Sequence, residues 1–267
     1  FYSISNKKSF SIIEVAKLFQ SKIKYLPFRK GERFASALSN MSYSKVGGRY
    51  FYGDNDLGLF DKEKNRKSPL MPQGITEFTN AGMLAGLTSV NLNEDPYNEF
   101  NGYFGAMSTY GSFSYLKYGP IRLFSQLAQD SDLKVGKLIW VAGHSGPETA
   151  EDSRTHFGIF APGVTQLFPK GHIINLHPWE HNEVAPSLAA AMQTKIPIIA
   201  LHLTRPPIEI PNRNFLGIAS HLDAAKGAYI IKDYDPNRDR AGLVIVRGTS
   251  SINSLMKILP DIKTNGP

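Results

Sequence analysis

Apolar residues recur at helical spacing through Ile12, Ile13, Val15, Ala16, Phe19 and Ile23, which predicts an amphipathic helix over 12–25. A second helix is expected over about 32–43; Gly47-Gly48 then breaks the chain before a short strand over 49–52. From there the pattern alternates. Residues 77–90, rich in Ala, Gly and Leu, suit a helix packed closely on a sheet, and 101–107 is a candidate strand. Residues 112–128 form a helical pattern that Gly119-Pro120 is expected to bend or interrupt. The runs KLIWVA (137–142), IINLH (173–177) and IIALHL (198–203) are short buried strands, with a helix over about 180–192 between the last two. Short apolar strands separated by helices predict an α/β fold, a mainly parallel sheet with helices on both faces. Pro206-Pro207 and Pro211 interrupt this pattern. Residues 212–226 come next as a linker, then two strands (228–232 and 243–246) and a helix (250–259), the incomplete start of a second α/β domain. The domain reading is a leading helix or linker over 1–27, a main domain over 28–210, and the linker with its partial domain over 211–267.

Composition narrows the classes. A chain of 267 residues, 42% hydrophobic and 20% charged, is a folded protein rather than a disordered one. No apolar run approaches the ~20 residues that span a bilayer. No signal peptide is visible at the start, and a chain beginning at Phe1 reads as a piece of a longer one. The absence of cysteine excludes disulfides and thiolate chemistry and fits a cytoplasmic setting. The formal charge of +7 is scattered, and its densest cluster, Lys62 to Lys67, reads as a solvated loop. No basic, aromatic stripe suggests nucleic acid, whereas an anionic substrate such as a sugar phosphate fits mild basicity.

Among the candidate chemical groups, His172, His177, His181, His202 and His221 are read as structural or surface residues. His177 and His181 have the i,i+4 spacing of a helical zinc pair, but Pro178 lies between them and no third ligand is evident. Asp54-Asn55-Asp56 lacks the glycine and the glutamate of a calcium loop, and no phosphate-cradling glycine fingerprint is present. The informative stretch runs from Trp140 to His156. A buried strand ends at His144; a Gly/Pro loop, the acidic pair Glu151-Asp152 and a second histidine come after it. Loops that leave the C-terminal ends of parallel strands are where such sheets bind ligands.

Here the chain resembles transketolase. That family carries a histidine after this strand and then a Glu-Asp-Gly-Pro-Thr-His run; His144, Asp152 and His156 keep the spacing, with Ser153-Arg154 in place of Gly-Pro. Gly74-Ile75-Thr76-Glu77-Phe78 resembles the segment whose glutamate meets the aminopyrimidine of the cofactor. Thr109-Tyr110 with Phe113, and Ile121-Arg122-Leu123 downstream, resemble the aromatic pocket segment, in which Leu116 takes the third aromatic position beside Tyr115. Gly53-Asp54-Asn55-Asp56-Leu57 resembles a segment near the cofactor, although a substrate-binding serine is replaced at Phe60. Arg33-Phe34-Ala35-Ser36 and Leu203-Thr204-Arg205 resemble the family's two arginine segments; Arg29-Lys30 competes for the first. The likeness covers about 32–259.

The resemblance implies the pyrimidine-binding module of a thiamine-diphosphate fold, followed by the start of the C-terminal domain. It implies a transferase of carbohydrate metabolism, the pentose phosphate pathway, moving two-carbon ketol units between sugar phosphates. Glu77 would hydrogen-bond the pyrimidine nitrogen and favour the imino tautomer that activates the thiazolium, with Asp56, Tyr110, Phe113 and Leu116 completing the cofactor site. His144 and His156 would act on the donor ketose, Asp152 would read a hydroxyl, and Arg33 and Arg205 would hold phosphate. No metal ligand is expected in this chain. The diphosphate and its Mg or Ca ion belong to a diphosphate-binding domain carrying a Gly-Asp-Gly…Asn motif that is absent from these residues, so this chain alone would hold half a site and be inactive. A homodimer, and neither nucleic acid nor membrane, completes the expected partners. Two alternatives stay open: a non-catalytic pyrimidine-type module acting in dimerisation or regulation, and another thiamine enzyme such as a deoxyxylulose-phosphate synthase or the β chain of a 2-oxo-acid dehydrogenase.

Overall fold

The structure is a computed structural model that describes residues 76–143, 161–204, 208–233 and 242–265, together with residues 63, 66, 71, 235 and 237. The chain divides into two units, Phe1–Thr76 and Glu77–Pro267, and every helix and strand of the described residues belongs to the second. The helices expected over 12–25 and 32–43 and the strand over 49–52 lie outside the described residues.

Four strands form one all-parallel sheet: β1 (Gly105–Tyr110), β2 (Leu138–Gly143), β3 (Ile173–Leu176) and β4 (Ile198–His202), in the spatial order β1-β2-β4-β3. Helix α1 (Glu77–Ser89) precedes β1; a 3₁₀ turn (Gly111–Phe113) and α2 (Ser114–Asp130) come after it. Helix α3 (Ala161–Thr165) precedes β3, and α4 (His181–Gln193) links β3 to β4. Parallel strands need such crossovers. Two moves across the sheet in one direction and one back put their helices on opposite faces when each crossover is right-handed. The core obeys that rule. On one face Met107, Leu138, Trp140 and Ile198 pack with Ala81, Leu84 and Ala85 of α1 and Ile121 and Phe124 of α2. On the other, Ile139, Val141, Ile174, Leu176, Ile199 and Leu201 pack with Val184, Leu188, Ala191 and Met192 of α4. Successive residues of one strand thus serve different cores, which is why these strands read as continuous apolar runs. The structure is an α/β fold, and no described helix is long and apolar enough to cross a membrane.

Three local outcomes differ from the sequence-based expectations. The first strand begins at Gly105 rather than 101, because its pairing with β2 starts at Gly105 opposite Leu138. The stretch before it is instead tied to the Asn91 side chain, whose Nδ2 donates to the carbonyls of Pro96, Glu99 and Lys134. Pro120 does not interrupt α2, which runs on to Asp130. Proline has no N–H for the carbonyl of Leu116 four residues earlier, and packing of the buried Pro120 and Ile121 outweighs that loss. The segments 228–232 and 243–246 are not strands. A strand needs a ladder partner; Leu243, Val244 and Ile245 lie exposed without one in the sheet, while the helix predicted beyond them forms as α6 (Gly248–Asn265). Residues 212–226, expected as a linker, contain a short helix α5 (Arg213–Leu216) and a 3₁₀ turn (His221–Lys226).

Close packing before β2 yields a first prediction. A Cβ on Gly136 would overlap the backbone oxygen of Tyr103. Backbone must therefore move, and Gly136→Ala should cost about 1–3 kcal/mol in urea-induced unfolding. A change below a few tenths would show that the turn yields freely.

Candidate functional site

The C-terminal edge of a parallel sheet gathers side chains that the sequence keeps apart. Tyr110 lies opposite Gly143, Ala142 opposite His202, and Leu176 opposite Leu201, so all four strands end together. The connection from β2 passes β4 to reach β3 and then returns, so the direction of travel across the sheet reverses at β3 while all strands stay parallel. Such a reversal point is where open α/β sheets bind ligands.

On the β1 side, Glu77 opens α1, where a carboxylate complements the partial positive charge of the helix N-terminus. Thr109 donates its hydroxyl to Glu77 Oε1 at 2.9 Å, across 32 residues of sequence. One residue beyond Thr109, Tyr110 meets Phe113 edge-to-face, with ring centroids 6.1 Å apart and planes at 72°. Leu116, in the first turn of α2, is 38% exposed and Tyr115 is 59% exposed. Lys117, also in that first turn, is completely buried, with no hydrogen-bond partner at Nζ. Burial lowers its pKa to about 8, against the opposing pull of the Glu77 charge.

On the β3 side, His202 at the end of β4 stacks on His177, ring centroids 4.3 Å apart and planes 2° from parallel. His202 Nε2 lies 3.1 Å from Asn175 Oδ1, which accepts only, so that nitrogen carries the proton. Burial lowers the pKa of His177 to about 4 and that of His202 to about 3; Arg247 adds to both effects, and His177 to that on His202. Both rings are therefore neutral at pH 7. The i,i+4 pair of His177 and His181 is not a helical face, since α4 begins only at His181. Among the described residues no group of three histidine or acidic side chains is placed to hold a metal.

A buried charge cluster ties the later chain to the start of α4. Glu180 caps α4 by accepting from the backbone N–H of Asn182, and Glu183 Oε2 accepts from that of Trp179. Arg213 Nη2 then donates to both carboxylates, at 3.0 Å to Glu180 and 2.6 Å to Glu183. Tyr229 donates to Glu183 and accepts from Arg213 Nη1, and the guanidinium lies 4.7 Å over the Trp179 ring. Burial, then the Glu183 hydrogen bond, pushes the Tyr229 phenol up to about 12. Burial opposes the Arg213 charge, but its bonds to Tyr229 and Glu183 prevail and hold its proton more tightly than usual.

Of the residues singled out from sequence, Glu77, Tyr110, Phe113 and Leu116 are described, and the first three cluster at the end of β1. Arg33, Asp56, His144, Asp152, His156 and Arg205 lie outside the described residues, His144 directly following the last residue of β2. Sequence reasoning does not find Thr109, Lys117 or the stacked histidines. Lys117 has a legible signal: Ser114, Lys117, Ile121, Phe124 and Ser125 share helical spacing and are all buried, so the lysine stands at a core position. The histidine stack carries no such signal, because it joins two strands through tertiary pairing. No protein-family model matches the chain, and no curated protein matches it.

Proposed function

We propose that this chain is part of a transketolase-type, thiamine-diphosphate-dependent transferase, with the Glu77 cluster as its aminopyrimidine-binding half. The observation that carries this reading is the carboxylate of Glu77, oriented by Thr109 beside the Tyr110–Phe113 pair at the end of a parallel strand. A carboxylate fixed by one hydrogen bond keeps an oxygen for a ring nitrogen, and an edge-to-face aromatic pair offers an apolar wall for a flat heterocycle. When bound, the cofactor supplies the carbanion chemistry. The protein's own part is to hold the pyrimidine and the proton on its nitrogen at Glu77. In this reading His144, Asp152 and His156 meet the ketose, Arg33 and Arg205 its phosphate, and Asp56 and Leu116 border the cofactor. The diphosphate and its Mg or Ca ion fall to a diphosphate-binding domain, and the working enzyme is a cytoplasmic homodimer. Leu116, exposed where the family has an aromatic, favours the second reading, a non-catalytic module retained for dimerisation or regulation.

The test is binding of thiamine to the full chain, read by saturation transfer to its aminopyrimidine protons and by titration calorimetry. Binding is expected through the pyrimidine. Glu77→Gln should weaken it about 10- to 100-fold, since a hydrogen bond to a charged group is worth about 1.5–3 kcal/mol. No transfer to the pyrimidine, or equal affinity in the variant, would sink the assignment.

A further inference from the structure

Two polar side chains in the first turn of α2 lie in the core without a partner. Ser114 and Lys117 are both 0% exposed, and neither Ser114 Oγ nor Lys117 Nζ has a hydrogen-bond partner. A helical serine ordinarily donates to the carbonyl four residues back, as Ser89 does to Ala85 and Ser187 to Glu183. Ser114 opens its helix, so the residue four back, Tyr110, still belongs to β1. Lys117 stands one turn on, at the i,i+3 spacing that puts two side chains on one helix face. Helical side chains lean toward the N-terminus, so the lysine reaches back over Ser114. No carboxylate lies within hydrogen-bond distance of its Nζ; Glu77 Oε1 accepts from Thr109 instead. Burial lowers the lysine pKa to about 8, which leaves it mostly cationic at pH 7. The helix end adds donors of its own. α2 is 17 residues long, and Phe113 at its N-cap gives it no side-chain hydrogen bond. The partial positive charge there repels the lysine and attracts anions. This turn lies just beyond the C-terminal end of β1, the edge where parallel sheets bind ligands.

We propose that the first turn of α2 is a binding site for a small tetrahedral oxyanion of the phosphate class, held by Ser114 Oγ, Lys117 Nζ and the N-terminus of the helix. An ammonium and a helix N-terminus can only donate, and the unpartnered serine hydroxyl donates with them. The matching ligand is therefore one that only accepts. A phosphate accepts in several directions at once, whereas a carboxylate accepts in one plane. The anion also supplies the counter-charge that the buried ammonium lacks. This site is separate from the phosphate role given above to Arg33 and Arg205. It does not rest on the cofactor reading, which uses neither Ser114 nor Lys117.

The experiment is titration calorimetry of the full chain with inorganic phosphate, and separately with acetate, at matched ionic strength. Phosphate should bind the wild type, and Lys117→Met should weaken it about 10- to 100-fold, the range for a hydrogen bond to a charged group. Ser114→Ala should weaken it by about tenfold. Urea midpoints taken without phosphate check the fold. That of Lys117→Met should be no lower than the wild type's, because an apolar chain of similar length replaces an unpaired buried cation. If Lys117→Met does fold poorly, Ser114→Ala, the smaller change, carries the binding test. Phosphate that binds the wild type and the folded variants alike overturns the proposal, since it then sits elsewhere. So does a wild type that binds no phosphate, which means that water alone meets the two side chains. Acetate that binds as tightly as phosphate overturns the tetrahedral assignment.

Discussion

Replacing Arg213 with methionine is expected to lower the unfolding free energy by about 3–5 kcal/mol, a large fraction of what a domain possesses. The reason is what the substitution leaves behind. Glu180 and Glu183 have side chains only 1% and 4% exposed, and Arg213 is the cation that meets both. Without it two carboxylates face each other in a dry setting, and Tyr229 keeps its bond to Glu183 alone. The Trp179 ring loses its cation, and the Ala219 carbonyl loses the Nη1 donor 2.9 Å away. Urea titration monitored by tryptophan fluorescence measures the effect, Trp179 being part of the cluster. Double replacement of Glu180 and Glu183 by glutamine in the Arg213→Met background should recover part of the loss, since it removes the stranded charges. A loss below about 1 kcal/mol for Arg213→Met would mean that water reaches the cluster and screens it.

Acid should destabilise the same region through different groups. His177 and His202 are neutral in the folded protein, with pKa values of about 4 and about 3, against 6.5 for an ordinary histidine. The sign comes from proton counting. Between about pH 6.5 and pH 4 the unfolded chain binds protons at both histidines that the folded chain refuses. Stability is therefore full above about pH 6.5 and falls as the pH drops through this window. The decline amounts to at most about 1.4 kcal/mol per pH unit for each histidine. From about pH 7 to about pH 4.5 the pair should account for roughly 3–5 kcal/mol, less if the two rings share one penalty. His177→Phe keeps an aromatic face for His202 and removes one titrating group. Its urea midpoint should fall less steeply with acid than that of the wild type. Parallel pH profiles for the two proteins would show that His177 protonates freely in the fold.

Much of the architecture is legible in the sequence because its causes are local. A run such as IIALHL has apolar residues on both faces, which a strand covered on two sides requires, and 198–202 is that strand. The helices at 77–89 and 181–193 fall close to the spans their composition suggests. The candidate site is legible in part. Glu77, Tyr110 and Phe113 stand out by motif order, and they gather at one strand end. Thr109, in the same motif, does not stand out, because a threonine in a strand is ordinarily just a strand former.

What the sequence determined by itself is the succession of helices and two-sided apolar strands, because hydrophobic period and chain chirality act within a few residues. What only the tertiary structure decided are the features that need a distant partner. Residues 228–232 and 243–246 have strand-like composition, yet a strand exists only where another offers its backbone, and none of the four sheet strands does so. The partners of Arg213 lie 33 and 30 residues earlier, and the order β1-β2-β4-β3 brings His202 beside Ala142 and onto His177. Lys117 is buried only in the folded chain, and that burial lowers its pKa to about 8. Electrostatic effects of that kind depend on burial and separation, and both are properties of the folded chain alone.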